Sequence, residues 1–140
     1  MRILILCTGN SCRSQMAEGF FKSFDPTLEV FSAGTFPATG VQPKAVQVMK
    51  EIGIDLKGAY PKGVQKFLKL EFDYVITVCD DANESCPVFS GKVKHRLHMG
   101  FDDPSFTSGS DEHVLEEFRR VRDEMGVAFK EFYQSIRNET

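Results

Sequence analysis

Apolar residues along this chain recur at two different periods and mark out alternating strands and helices. Ile3 to Leu6 is an unbroken apolar run too short for a helix, and it predicts a buried strand over residues 1–7. From Arg13 to Phe24, Met16, Ala17, Phe20, Phe21 and Phe24 return at helical spacing, until Asp25-Pro26 stops the helix. Residues 28–33 alternate and predict a second strand. Pro43 opens a second helix, with Ala45, Val46, Met49 and Ile52 expected on its core face and Gly53 at its C-terminal cap. A short basic amphipathic helix is expected over 64–70. A third strand is expected over 72–78, rich in β-branched and aromatic residues, and a fourth over 93–99. The chain then reads as a long helix over 111–136 with its start capped by Ser110. Its buried stripe is Val114, Leu115, Phe118, Val121, Met125, Phe129, Phe132 and Ile136. Strands alternating with helices predict an α/β fold of three layers, a mostly parallel four-stranded sheet with helices on both faces.

A length of 140 residues predicts one domain spanning the chain. The net charge of −3 offers no basic surface for nucleic acid or an anionic membrane. No apolar run approaches the roughly 20 residues of a membrane span, and Ile3 to Leu6 is too short for the core of a signal peptide. A monomer in the cytoplasm is the expectation. The four cysteines, at 7, 12, 79 and 86, are then reduced at rest and fit no zinc-binding spacing, so no metal site is expected.

Cys7 ends the first strand, and five residues separate it from Arg13. The loop Thr8-Gly9-Asn10-Ser11-Cys12, running into Arg13 and Ser14 at a helix start, can turn backbone N–H groups inward around a tetrahedral oxyanion. The same amides and the helix dipole would stabilise a Cys7 thiolate. Arg13 offers a planar fork for two oxygens of the anion, and Ser14 can hydrogen-bond the thiolate. Cys79 ends the third strand. If the first and third strands are neighbours, about 4.8 Å apart, Cys7 and Cys79 approach disulfide range. Cys86 follows seven positions later. A straight helix would separate it from Cys79 by roughly 10.5 Å, so a bridge between them requires the segment 80–91 to unwind. Cys12 is the weakest thiol candidate and more simply shapes the loop. His95, His98 and His113 have no ligand spacing with any cysteine.

The string from Cys7 to Glu18, Cys-Thr-Gly-Asn-Ser-Cys-Arg-Ser-Gln-Met-Ala-Glu, resembles the phosphate loop of low-molecular-weight protein tyrosine phosphatases. More fully, it resembles that of the thioredoxin-coupled arsenate reductases built on the same fold. Val78-Cys79 through Cys86-Pro87 resembles their nucleophile pair. The resemblance implies a sheet order of 2-1-3-4 and arsenate as substrate. It implies Cys7 as first nucleophile, then Cys79 and Cys86 in a thiol relay that needs no metal or organic cofactor. Thioredoxin would be the reductant, with a glutaredoxin or glutathione system as the alternative. The resemblance also places Asp103, in Gly100-Phe-Asp-Asp-Pro104, above the loop as the general acid, with Asp102 as runner-up. Ser105 stands where many of the phosphatases carry a bulky residue, often tyrosine, so phosphotyrosine recognition is in doubt. Phosphatase activity is the competing function. A non-catalytic thiol module ranks last because it leaves Arg13 and Asp103 without a purpose. Asn10, Glu18 and Ser32 match positions that bind potassium in some members, while Lys62 falls near where an acidic partner would sit.

Overall fold

The computed structural model describes residues 1–79 and 88–137. Its elements run β1 (Arg2–Cys7), α1 (Arg13–Phe24), β2 (Glu29–Gly34), α2 (Pro43–Glu51), β3 (Phe72–Thr77), β4 (Val93–His98) and α3 (Asp111–Arg137), with 3-10 turns at Val64–Phe67 and Pro104–Phe106. The four strands are parallel and lie in the order β2-β1-β3-β4, as expected.

β1 is buried on both faces because it lies in the middle of the sheet, which is why it reads as continuous apolar sequence rather than as an alternation. Ile3, Ile5 and Cys7 face a core built with Met16, Ala17, Phe20 and Phe21 of α1, Ala45, Val48 and Met49 of α2, and Phe118, Val121, Met125 and Phe129 of α3. Leu4 and Leu6 face the second layer, with Ala33, Phe67, Phe72, Val75 and Phe89. β4 is an edge strand, and Lys94, His95, Arg96 and His98 stand exposed on it. Such charges blunt an edge against pairing with another chain. His95 stacks on Tyr74 at 5.0 Å, and His98 Nδ1 meets Thr77 Oγ1 at 2.7 Å.

Three local expectations are corrected. The basic stretch 64–70 is a single 3-10 turn over Val64–Phe67, because only Phe67 has a core to enter while Leu68 and Leu70 remain exposed. In α2 the buried residues are Ala45, Val48 and Met49. Val46 only flanks the core and Ile52 is exposed beyond the helix end. The strand ends also move: β2 reaches Gly34, and β4 stops at His98. Gly53 does cap α2, with φ +82° and its N–H on the Lys50 carbonyl at 3.0 Å.

α2 is fastened to α3 by Glu51, whose carboxylate accepts from Arg119 Nε at 3.0 Å and Arg122 Nη1 at 2.7 Å. Those guanidiniums, Arg119 foremost, hold its pKa down from 4.5 to about 2. A carboxyl whose pKa is lower in the folded state contributes stability above its unfolded pKa and loses it as pH falls. Acid unfolding between pH 4.5 and about 2 is therefore expected to flatten in Glu51→Gln, as circular dichroism across that window would show.

Candidate active site

The reactive end of the sheet is set by register. Cys7 closes β1 beside Gly34 of β2, and on the other side Leu6 pairs with Thr77 of β3. Beyond Cys7 the chain leaves the sheet as a loop whose carbonyls are drawn outward. Those of Thr8, Gly9 and Ser11 accept from the N–H groups of Phe36 (3.0 Å), Ala38 (2.9 Å) and Gln42 (2.7 Å). In a trans peptide the carbonyl and the following N–H point in opposite directions, so the amides of Gly9, Asn10 and Cys12 are turned inward. Asn10 N–H indeed donates to Cys7 Sγ at 3.2 Å. α1 begins at Arg13 with no side chain capping it, which leaves its first amides available to an anion.

Gly34 makes this turn possible. A Cβ there would press on the Thr8 carbonyl oxygen far inside contact distance and stand 3.0 Å from the Asn10 nitrogen. Asn10 sits at the bend with φ +51°, a left-handed conformation that asparagine tolerates better than most residues. It is fully buried, and its side chain makes three hydrogen bonds. Its Nδ2 donates to Ser14 Oγ at 2.7 Å, and its Oδ1 accepts from Gln15 Nε2 (3.0 Å) and from the Lys62 N–H (2.8 Å). Ser14 Oγ lies 2.9 Å from Cys7 Sγ. Cys7 is thus met by a hydroxyl and an amide, both able to stabilise a thiolate.

A cavity of about 300 Å³ opens over Cys7 and is lined by Thr8, Gly9, Ser11, Cys12, Arg13, Asp103, Ser105 and Phe106. Asn10 and Ser14 support it from behind. Thr8 Oγ1 is buried and has no partner among the described residues, so a hydroxyl is free for an anion. Arg13 is buried with its Nη1 on the Phe101 carbonyl at 3.0 Å and its Nη2 on Asp103 Oδ2 at 3.3 Å. Phe101 is itself tied to the sheet edge, its N–H on the Val78 carbonyl at 3.2 Å, which carries Asp103 over the loop. Ser105 donates to Asp103 Oδ1 from its N–H (3.0 Å) and its hydroxyl (2.6 Å). Asp102 turns away to Arg120 at 3.0 Å and does not line the cavity. A larger cavity, about 620 Å³ beside Glu18, Lys22, Lys57 and Lys62, contains no cysteine and offers no nucleophile.

The thiols differ sharply. Cys7 and Cys12 are free, whereas Cys79 is disulfide-bonded in this structure, against the expectation that all four cysteines are reduced. Burial, reinforced by the Asp103 carboxylate, pushes the Cys12 pKa well above the ordinary thiol range, and Cys12 Sγ contacts Met16 Sδ at 3.9 Å. Cys79 is fully buried, two residues past the end of β3. The register continues through the Val78 N–H on the Leu6 carbonyl at 3.0 Å, which puts Val78 beside Cys7 and Cys79 one position further on. Cys86, and most of the segment 80–91 expected to unwind, lie outside the described residues.

The potassium positions do not suit an ion. An amide oxygen has two lone pairs, and both of those on Asn10 Oδ1 are taken. Glu18 is already shared by Lys22 Nζ at 2.8 Å and Lys62 Nζ at 3.9 Å. Of the three, only Ser32 Oγ is left without a partner. No group of three or more His, Cys, Asp or Glu side chains suited to a metal occurs among the described residues, and no described helix is long and apolar enough to cross a membrane.

Sequence reasoning missed Gly34, Gln15 and the grip of Ser105 on Asp103. The only local hint was that each is a small or amide-bearing residue near a motif.

This geometry recurs in known proteins. Over 134 residues, and 95% of each chain, the sequence is 46% identical to an arsenate reductase of Halalkalibacterium halodurans. A solved arsenate reductase in its phosphate-binding state superposes with a TM-score of 0.80 at 30% identity, covering 96% of this chain and 98% of that one. A thioredoxin-dependent arsenate reductase of Corynebacterium glutamicum matches at TM-score 0.68 and 25% identity, over 99% of this chain and 62% of that one. The family model described as low molecular weight phosphotyrosine protein phosphatase matches residues 2–140, and with relatives so similar along nearly the full chain, the protein belongs to that family.

Proposed function

We propose that the chain reduces arsenate to arsenite with three of its cysteines. The observation that carries this reading is the placement of a second, fully buried cysteine at the sheet edge that holds Cys7. Cys7 lies under inward-turned amides, with the Asn10 N–H on its Sγ at 3.2 Å, and Cys79 lies just beyond the end of the neighbouring strand. A hydrolytic phosphatase has no chemical need for the second cysteine.

In the proposed sequence, arsenate enters the loop against the amides of Gly9, Asn10 and Cys12, the Thr8 hydroxyl and the Arg13 guanidinium. The Arg13–Asp103 pair opens as the anion takes the guanidinium. Cys7 Sγ attacks arsenic, and one oxygen departs as water with a proton from Asp103. The Cys79 thiolate then attacks Cys7 Sγ. A sulfur–sulfur bond forms, the sulfur–arsenic bond breaks, and its electron pair stays on arsenic, which leaves as arsenite. Cys86 attacks Cys79, Cys7 is released as a thiolate, and a Cys79–Cys86 disulfide remains. A dithiol protein regenerates the pair by exchange, and the thioredoxin-dependent relative supports thioredoxin in that role. Because Val78 rather than Cys79 stands opposite Cys7, Cys79 has to shift to make its attack. We place this single-domain monomer in the reducing cytoplasm, where such a cycle is sustained.

NADPH oxidation coupled through thioredoxin and its reductase is expected to proceed only when arsenate is present. Turnover with a glutaredoxin and glutathione system alone would reassign the reductant. No turnover with either, alongside brisk hydrolysis of para-nitrophenyl phosphate, would leave the phosphatase reading. That reading has one observation in its favour beyond the family: the exposed Phe106 ring on the cavity rim, where an aryl group could rest.

A further inference from the structure

We propose that the ammonium of Lys62 is a built-in cation for the oxyanion loop, so that the protein needs no potassium to hold that loop in shape. This rests on reading the loop as an oxyanion site and adds the residue that replaces an ion there.

Lys62 reaches the loop in three ways. Its backbone N–H holds Asn10 Oδ1 at 2.8 Å, and its carbonyl accepts from the Gly34 N–H at 2.9 Å. Its Nζ donates to the Tyr60 carbonyl at 3.0 Å, the same oxygen that accepts from Gln15 Nε2 at 2.9 Å. Gln15 in turn bonds both the backbone and side-chain oxygens of Asn10 at 3.0 Å. The ammonium therefore meets an oxygen already joined to the one residue of the loop with positive φ.

Charge makes the substitution specific. The Lys62 side chain is 12% exposed and that of Glu18 is 13% exposed, so their attraction at 3.9 Å is only partly screened by water. Lys62 also lies over the Tyr60 ring, 5.1 Å from its centroid. With Lys22 on the other carboxylate oxygen, two ammonium groups face one carboxylate, and a further cation would enter a site that already carries excess positive charge. Burial lowers the Lys62 pKa while Glu18 pulls it back up, which fits an ammonium held by its carboxylate.

The test measures inorganic phosphate binding and thermal unfolding rather than arsenate turnover, so its failure leaves the reductase reading untouched. Wild-type protein is compared with Lys62→Met and Lys62→Asp in potassium chloride and in tetramethylammonium chloride at equal ionic strength. Wild-type phosphate affinity and unfolding temperature are expected to be the same in both salts. In tetramethylammonium, Lys62→Met is expected to bind phosphate about fivefold more weakly. Potassium should restore part of that loss, and more of it in Lys62→Asp, which supplies a carboxylate. Two results would overturn the proposal: a wild-type affinity that responds to potassium, or Lys62→Met binding phosphate as wild type does in tetramethylammonium. If Lys62→Met folds in neither salt, the side chain is structural beyond its charge and the proposal likewise fails; recovery of folding by potassium alone supports it.

Discussion

Cys79→Ser is expected to lower thioredoxin-coupled arsenate turnover by about a thousandfold or more, since the proposed relay then lacks the thiol that would resolve the arsenic adduct. Hydrolysis of para-nitrophenyl phosphate by the same variant should remain within about threefold of wild type, because it uses only the loop, Cys7 and Asp103. The two activities separate because they share the first nucleophile and part company afterwards. Cys7→Ser should remove both. Cys7 is buried, but Ser14 Oγ and the Asn10 N–H already stand at its sulfur, so a serine hydroxyl keeps hydrogen-bond partners and a large fall in stability is not expected. Steady-state assays of both reactions on one preparation decide the matter. Parallel loss of both in Cys79→Ser would mean that Cys79 supports the loop structurally, and the relay would have to be abandoned.

Gly34→Ala is expected to damage the protein more than any other one-methyl change at the site. The added carbon has backbone on two sides, the Thr8 carbonyl and the Asn10 amide, and neither can swing aside as a flexible side chain could. Overpacking of this kind costs about 1–3 kcal/mol. The kinetic loss should be larger in proportion, because relief must come from moving the loop that aims amides at the anion, and a displacement of about 1 Å can cost roughly a hundredfold in rate. Unfolding temperature and phosphatase kcat/KM together check this. Gly9→Ala is the control, since a Cβ there comes no nearer than 3.5 Å to Ser11 Oγ. Equal behaviour of the two variants would show that β2 does not hold the loop.

What could be read in the chain beforehand follows from how far apart the partners lie. Cys7, Arg13 and Ser14 share one short stretch, so spacing alone announces an oxyanion loop. β1 was plain because burial on both faces leaves no polar residue between Ile3 and Leu6. Asp103 was nominated mostly by the family resemblance, and Arg13 receives it, but Ser105 entered the reading only as a missing tyrosine. Its two hydrogen bonds to the carboxylate depend on a turn that no periodicity reveals. Gly34 and Lys62 act on residues 24 to 52 positions away in sequence, and such contacts leave no local pattern. The error in α2 is of another kind. In nine residues, two hydrophobic phases fit almost equally well, and packing against α3 chose Val48 over Val46 and Ile52.

The protonated state of Cys12 bears on how the product escapes. Trivalent arsenic is a thiophile, and it binds far more tightly to two thiolates than to one. A loop presenting Cys7 and Cys12 as equals would chelate the arsenite it had just made and poison itself at the first turnover. Burial and the neighbouring Asp103 charge keep Cys12 a thiol, and its sulfur rests against Met16 Sδ. Detoxification by this loop thus depends on a sulfur that stays out of the reaction as well as on one that begins it.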